Sequence, residues 1–189
     1  MSPFEIVGVV TGLLGVWFMT RQKIWAWPIL ILSCLVFTVV FFRARLYAAM
    51  GLQFVYVGLA LYGWYHWLHA GSGHGLLRVS RVPRRVALAL AAAGAALTAA
   101  LGTWLDLRTD QALPYADAFA TSFSLAAQWM QAQKYLENWV VWIAVDLVYV
   151  AMVPTRGLRL TAVLYAVYLV LALIGIRDWR RSMAAGAGV

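Results

Sequence analysis

The chain has 189 residues, of which 64% are hydrophobic and 12% charged, about half the charged fraction usual in soluble domains. That much apolar surface cannot be hidden inside a soluble core of this length, so the bilayer is the expected solvent. The net charge of +8 is spread over short breaks between apolar runs, which fits loops at a membrane surface and not a nucleic-acid footprint. One cysteine, Cys34, excludes an internal disulfide and a cysteine-based metal cluster.

Taken in chain order, seven apolar runs have the length of membrane-spanning helices: 4–20, 24–42, 46–69, 84–103, 114–133, 137–154 and 158–177. The N-terminus lacks a basic region and carries Glu5, so no cleavable signal is expected. The first two breaks are marked by Arg21 with Lys23 and by Arg43 with Arg45. Further breaks fall in the glycine-rich stretch Ala70 to Gly75, from Asp106 to Pro114, at Lys134, and from Pro154 to Gly157. With the N-terminus outside, ten basic residues fall on the inner side and five on the outer, which predicts an N-out, C-in orientation.

The run VYVGLALYGWYHW at 55–67 recurs as VYLVLALIGIRDW at 167–179, with seven identities in thirteen positions. At the same offset of 112, Glu5 meets Asp117, Trp27 meets Trp139 and Leu46 meets Leu158. The expected organisation is therefore a three-helix repeat over 1–69, a loop and linker helix over 70–113, a second three-helix repeat over 114–181 and a flexible tail over 182–189. Three spans plus one linker restore the starting direction, so the repeats are parallel, a transporter design with its site near the midplane. A duplicated bundle that moves nothing is the alternative.

Candidate ligand positions are polar groups at membrane depth. Asp146 lies midway along the sixth span, and no Lys or Arg is available inside any span to neutralise it. It calls for a cationic substrate, a proton or sodium, or else stays protonated and hydrogen-bonded to a neighbouring helix. Trp139, Trp142, Asp146 and Tyr149 share a helix face, where two indoles and a carboxylate suit a flat cationic ring. On the fifth span Asp117, Thr121, Ser124 and Gln128 form one polar stripe that serves either a cavity or helix packing. Gln53 and Tyr56 on the third span have Tyr165 and Tyr168 as repeat equivalents on the seventh. The tyrosines fit packing as well as binding.

Several signals are set aside. His66, His69 and His74 lack metal-ligand spacing. The GSGHG run is no phosphate loop, so no ATPase is encoded, and neither a G-x-S-x-G elbow nor an H-E-x-x-H helix is present. No enzyme activity and no cofactor are expected.

The segments LYAAMGLQFVYVGLALYGWYHW (Leu46 to Trp67) and KYLENWVVWIAVD (Lys134 to Asp146), with the closing Gly175-x3-Trp179, resemble the PnuC family of bacterial vitamin transporters. The resemblance spans all seven runs, and E-N-W-x-x-W is its most specific element. It implies an all-α 3+1+3 membrane fold of SWEET type and a homotrimer in the bacterial cytoplasmic membrane. It also implies facilitated diffusion of nicotinamide riboside, trapped by a cytoplasmic kinase. Trp139 and Trp142 match the family's aromatic pair at the substrate, and Gln53 and Gln128 match polar cavity positions. Asp146 stands where riboside carriers commonly have Asn, which favours a cation more strongly and keeps a thiamine-type carrier, or a proton-coupled one using Asp146, as alternatives.

Overall fold

The computed structural model describes residues 3–43, 45, 47–70, 77–110, 112–152 and 159–186. These form seven helices: α1 (Pro3–Thr20), α2 (Ala26–Arg43), α3 (Tyr47–His69), α4 (Arg84–Arg108), α5 (Pro114–Ala132), α6 (Asn138–Met152) and α7 (Arg159–Gly186). Among the described residues no strand forms, and Ser80 and Tyr135 make an isolated bridge. Helices suit a chain in lipid, because each backbone donor then finds its acceptor within its own segment.

Helices α1, α2 and α4 are each long and apolar enough to cross a membrane alone. Helix α6 is apolar with 15 described residues, while α3, α5 and α7 have the length and carry more polar residues. Two ends differ from the sequence expectation. Helix α4 runs on to Arg108, where Thr109 closes it by donating both its backbone N–H and its hydroxyl to the Leu105 carbonyl. Helix α7 continues through 182–186, which the sequence assigned to a tail, because Trp179 and Met183 still pack into the core. The breaks at 71–75 and 154–157, His74, and the Leu46/Leu158 match lie outside the described residues.

Helix α2 packs against both α1 and α3, and α6 packs against both α5 and α7. The two sets meet through α3 on α5 and through α1 on α7, while α4 packs on α5. Small residues permit the close approaches, as expected where packing and not the hydrophobic effect holds helices together. In α1, Gly8 faces the Phe37 ring and Gly15 faces Leu30. In α4, Gly94 faces Phe123 and Gly102 faces Tyr115.

Local contacts recur at the 112-residue offset. The turn after α1 closes with Gln22 N–H on the Met19 carbonyl and Lys23 N–H on Phe18, both at 3.0 Å. After α5, Lys134 N–H on Gln131 and Tyr135 N–H on Met130 repeat both bonds at 3.0 Å. Gln22 and Lys134 adopt left-handed backbone, with φ of 55° and 59°. The indoles of Trp27 and Trp67 meet edge-on at 5.4 Å and 90°, and those of Trp139 and Trp179 at 5.4 Å and 89°. Trp67 donates its indole N–H toward the Gln131 and Ala132 carbonyls, and Trp179 donates to Met19. Trp67 also lies 6.0 Å from Trp179, so the four rings make one buried chain across both sets.

Candidate functional site

The turns at Lys134 and Gln22 aim Trp139 and Trp27 into the interior at the start of α6 and α2, and the tryptophan chain thereby closes one end of the bundle. Beyond it lies a cavity of about 210 Å³. Helix α6 contributes Trp139, Trp142 and Asp146, and α5 contributes Gln128 and Gln131. Helix α3 adds Gln53, Tyr56 and Ala60, and α7 adds Tyr165, Tyr168 and Ala172. The remaining wall is Val16 of α1 with Leu30 and Cys34 of α2.

Six of the residues expected from sequence, namely Gln53, Tyr56, Gln128, Trp139, Trp142 and Asp146, therefore share one cavity. Ser124 and Tyr149 stand behind its wall. Ser124 hydrogen-bonds the Tyr56 hydroxyl and donates to the Thr121 carbonyl, which fixes the ring of Tyr56. Tyr149 stacks on Tyr165 at 4.2 Å and 13°, backing a ring that faces the cavity. Asp117 sits in the first turn of α5, where a carboxylate complements the helix dipole.

Asp146 is 4% exposed, and its carboxylate has no hydrogen bond or ion pair among the described residues. A charge so placed is costly unless a cation joins it. The two tryptophans play different parts. Trp142 is only partly buried and is held by its indole N–H donating to the Gln131 side-chain oxygen at 2.8 Å, leaving its face to the cavity. Trp139 is 1% exposed, edges into Trp179 and lies against Gly175, where an added Cβ would fall 2.5 Å from its ring. A ring sandwiched between both indoles would require Trp139 to leave that packing.

Gln131 and Cys34 are cavity residues that the sequence argument did not single out. Gln131 continues the α5 stripe one step past Gln128, and Cys34 stands 112 residues before Asp146, so both were reachable by extending patterns already visible. His66 and His69 stack on Tyr62 and Tyr65 at the end of α3, away from the cavity. Asp178 is also remote, paired with Arg177 at 3.0 Å and Arg21 at 4.0 Å.

A multi-pass helical bundle with an aromatic cavity and, among the described residues, a nearly buried carboxylate without an ion pair in its wall defines a membrane carrier for a small ligand. Residues 2–181 match the family described as nicotinamide mononucleotide transporter. The chain is 33% identical over 181 residues to the riboflavin/roseoflavin transporter RibM of Streptomyces davaonensis, covering 93% of this chain and 83% of that one. It is 26% identical over 208 residues to the nicotinamide riboside transporter PnuC of Escherichia coli, covering 96% and 87%. The crystal structure of the vitamin B3 transporter PnuC superposes with a TM-score of 0.77 at 24% identity, covering 96% of this chain and 82% of that one. The chain belongs to the PnuC family of membrane vitamin transporters.

Proposed function

We propose that the protein carries nicotinamide riboside across the bacterial cytoplasmic membrane by facilitated diffusion. The observation that carries this reading is Asp146, a nearly buried carboxylate without a partner among the described residues, in a cavity lined by tryptophan and tyrosine. The pyridinium ring of the riboside is flat and cationic. It lies on the Trp142 face, its charge is met by Asp146, and its hydroxyl and amide groups are met by Gln53 and Gln128. Trp139 closes the end of the cavity beside the ring.

Residues 1–69 and 114–181 act as two parallel three-helix units in a 3+1+3 arrangement of SWEET type, with α4 as linker, and rock against each other about the site. The recurrence of contacts at the 112-residue offset supports this. The orientation is N-out and C-in, with the basic loops in the cytoplasm. The working unit is a homotrimer, and phosphorylation of the vitamin by a cytoplasmic kinase makes uptake one-way.

A second reading is favoured by the relative RibM, whose name gives riboflavin and roseoflavin as cargo at 33% identity. Riboflavin is a larger, neutral tricyclic ring, and in that reading Asp146 accepts hydrogen bonds from hydroxyls and does not counter a charge. Thiamine, flat and cationic, fits the same carboxylate. Titrating the purified protein with each vitamin while following tryptophan fluorescence separates the three. Saturable quenching at the lowest concentrations by nicotinamide riboside supports the first reading. Tighter binding of riboflavin or thiamine replaces it.

A further inference from the structure

The cavity wall is divided by polarity along the internal repeat. Gln128, Trp142 and Asp146 line one side, and the residues 112 positions earlier, Val16, Leu30 and Cys34, line the other. Tyr56 and Tyr168 are likewise 112 apart and both line the cavity, so the offset relates the two walls by position. What differs between the walls is chemistry. The α5–α6 wall has an amide, an indole and a carboxylate, and the α1–α2 wall has two aliphatic side chains and a thiol.

We propose that Cys34 is a specificity-determining residue that contacts the ligand and keeps the cavity singly charged. A carboxylate at both positions would set like charges across one small space, where both cannot be ionised together. A small neutral thiol at position 34 leaves Asp146 as the single anionic partner. The cationic group of the ligand therefore turns to α6, and its uncharged part lies against α1 and α2. Two independent features point to a ligand here: the cavity of about 210 Å³, and the Asp146 carboxylate in its wall that is 4% exposed and unpaired among the described residues. The inference rests on the reading of the cavity as a site for a cationic vitamin.

Cys34 is the one cysteine of the chain, so alkylation by a maleimide is read without ambiguity as a single mass addition. The native protein is alkylated with and without saturating nicotinamide riboside, with tryptophan quenching followed in parallel. Thiamine and riboflavin are used in the same way. The expected result is that the cationic vitamin that quenches, nicotinamide riboside or thiamine, also slows alkylation at least about tenfold. If a vitamin binds and Cys34 reacts at the ligand-free rate, the inference falls and the substrate reading stands. If neither cationic vitamin binds, whether or not riboflavin does, the substrate reading falls and the inference with it. The second arm moves the carboxylate. Asp146→Cys should lose at least about 30-fold in affinity, the scale for removing one partner of a buried charge pair. Adding Cys34→Asp to that variant should recover at least about tenfold. A double variant that binds no better than Asp146→Cys overturns the proposal; where the double variant does not fold, the protection result decides.

Discussion

Asp146 separates binding from stability at the scale of single residues. Its substitution by Ala removes the proposed counter-charge, and on that reading the affinity for nicotinamide riboside should fall by about 30-fold or more. Asp178→Ala removes a carboxylate that faces Arg21 and Arg177 at the bundle end, a surface pair of small worth, and affinity should stay within about twofold. Equal losses in a binding titration would remove Asp146 as the counter-charge. Gln131 acts through its neighbour. Gln131→Ala frees the Trp142 indole N–H, and loss of one hydrogen bond of about 1 kcal/mol should weaken binding about fivefold, read by the same titration. The residues most legible in the sequence were those whose polarity stands out against an apolar run, such as Asp146 and Gln128. Cys34 carries no such signal, since a cysteine among Ser, Leu and Val is an ordinary apolar helix residue. The close packing of Trp139 was also hidden, because it depends on Gly175 and Trp179 from another helix.

At the scale of elements, two glycines provide a matched experiment. A Cβ at Gly63 would fall 2.3 Å from the Trp27 ring, and one at Gly175 would fall 2.5 Å from Trp139. Each substitution to Ala should cost about 1–3 kcal/mol by overpacking, measured by thermal unfolding in detergent. Of Trp27 and Trp139 only the latter lines the cavity, so Gly175→Ala should also weaken ligand binding while Gly63→Ala leaves it near native. Equal binding losses would contradict the division between wall and support. The loop between α5 and α6 gives a pH test. Lys134 is 5% exposed, donates to the Leu77 carbonyl at 2.7 Å and lies 4.4 Å over the Trp67 ring, yet burial lowers its pKa to about 8. Between about 8 and the ordinary 10.5 the unfolded chain holds this proton more than the folded one, so its contribution to stability rises with pH through that window. In Lys134→Met this rise should vanish from the pH dependence of melting; an unchanged slope would show that Lys134 does not supply it. Helix borders were legible where a turn falls on the interruption of an apolar run, as at Lys134 and Pro114. They were misjudged at the ends of α4 and α7, where the helix outlasts its apolar stretch because capping at Thr109 and packing of Met183 continue to hold it.

The whole molecule joins two halves of common sequence into one cavity of unequal chemistry. The contacts that recur at the 112-residue offset were foreshadowed because Trp, Gly and Tyr recur in register. The meeting of α3 with α5 and of α1 with α7, helices that all line the cavity, was not readable, since apolar periodicity does not say which helix faces which. The facilitated diffusion proposed above would need no nucleotide and no ion gradient to exchange the ligand across a bilayer. The direct test is counterflow in liposomes containing only this protein, loaded with unlabelled nicotinamide riboside and diluted into labelled riboside without ATP and without a proton or sodium gradient. The account predicts transient accumulation of label that Asp146→Ala abolishes and that an ionophore leaves unchanged. Label that enters only under an imposed ion gradient, or counterflow with riboflavin and none with the riboside, would contradict it.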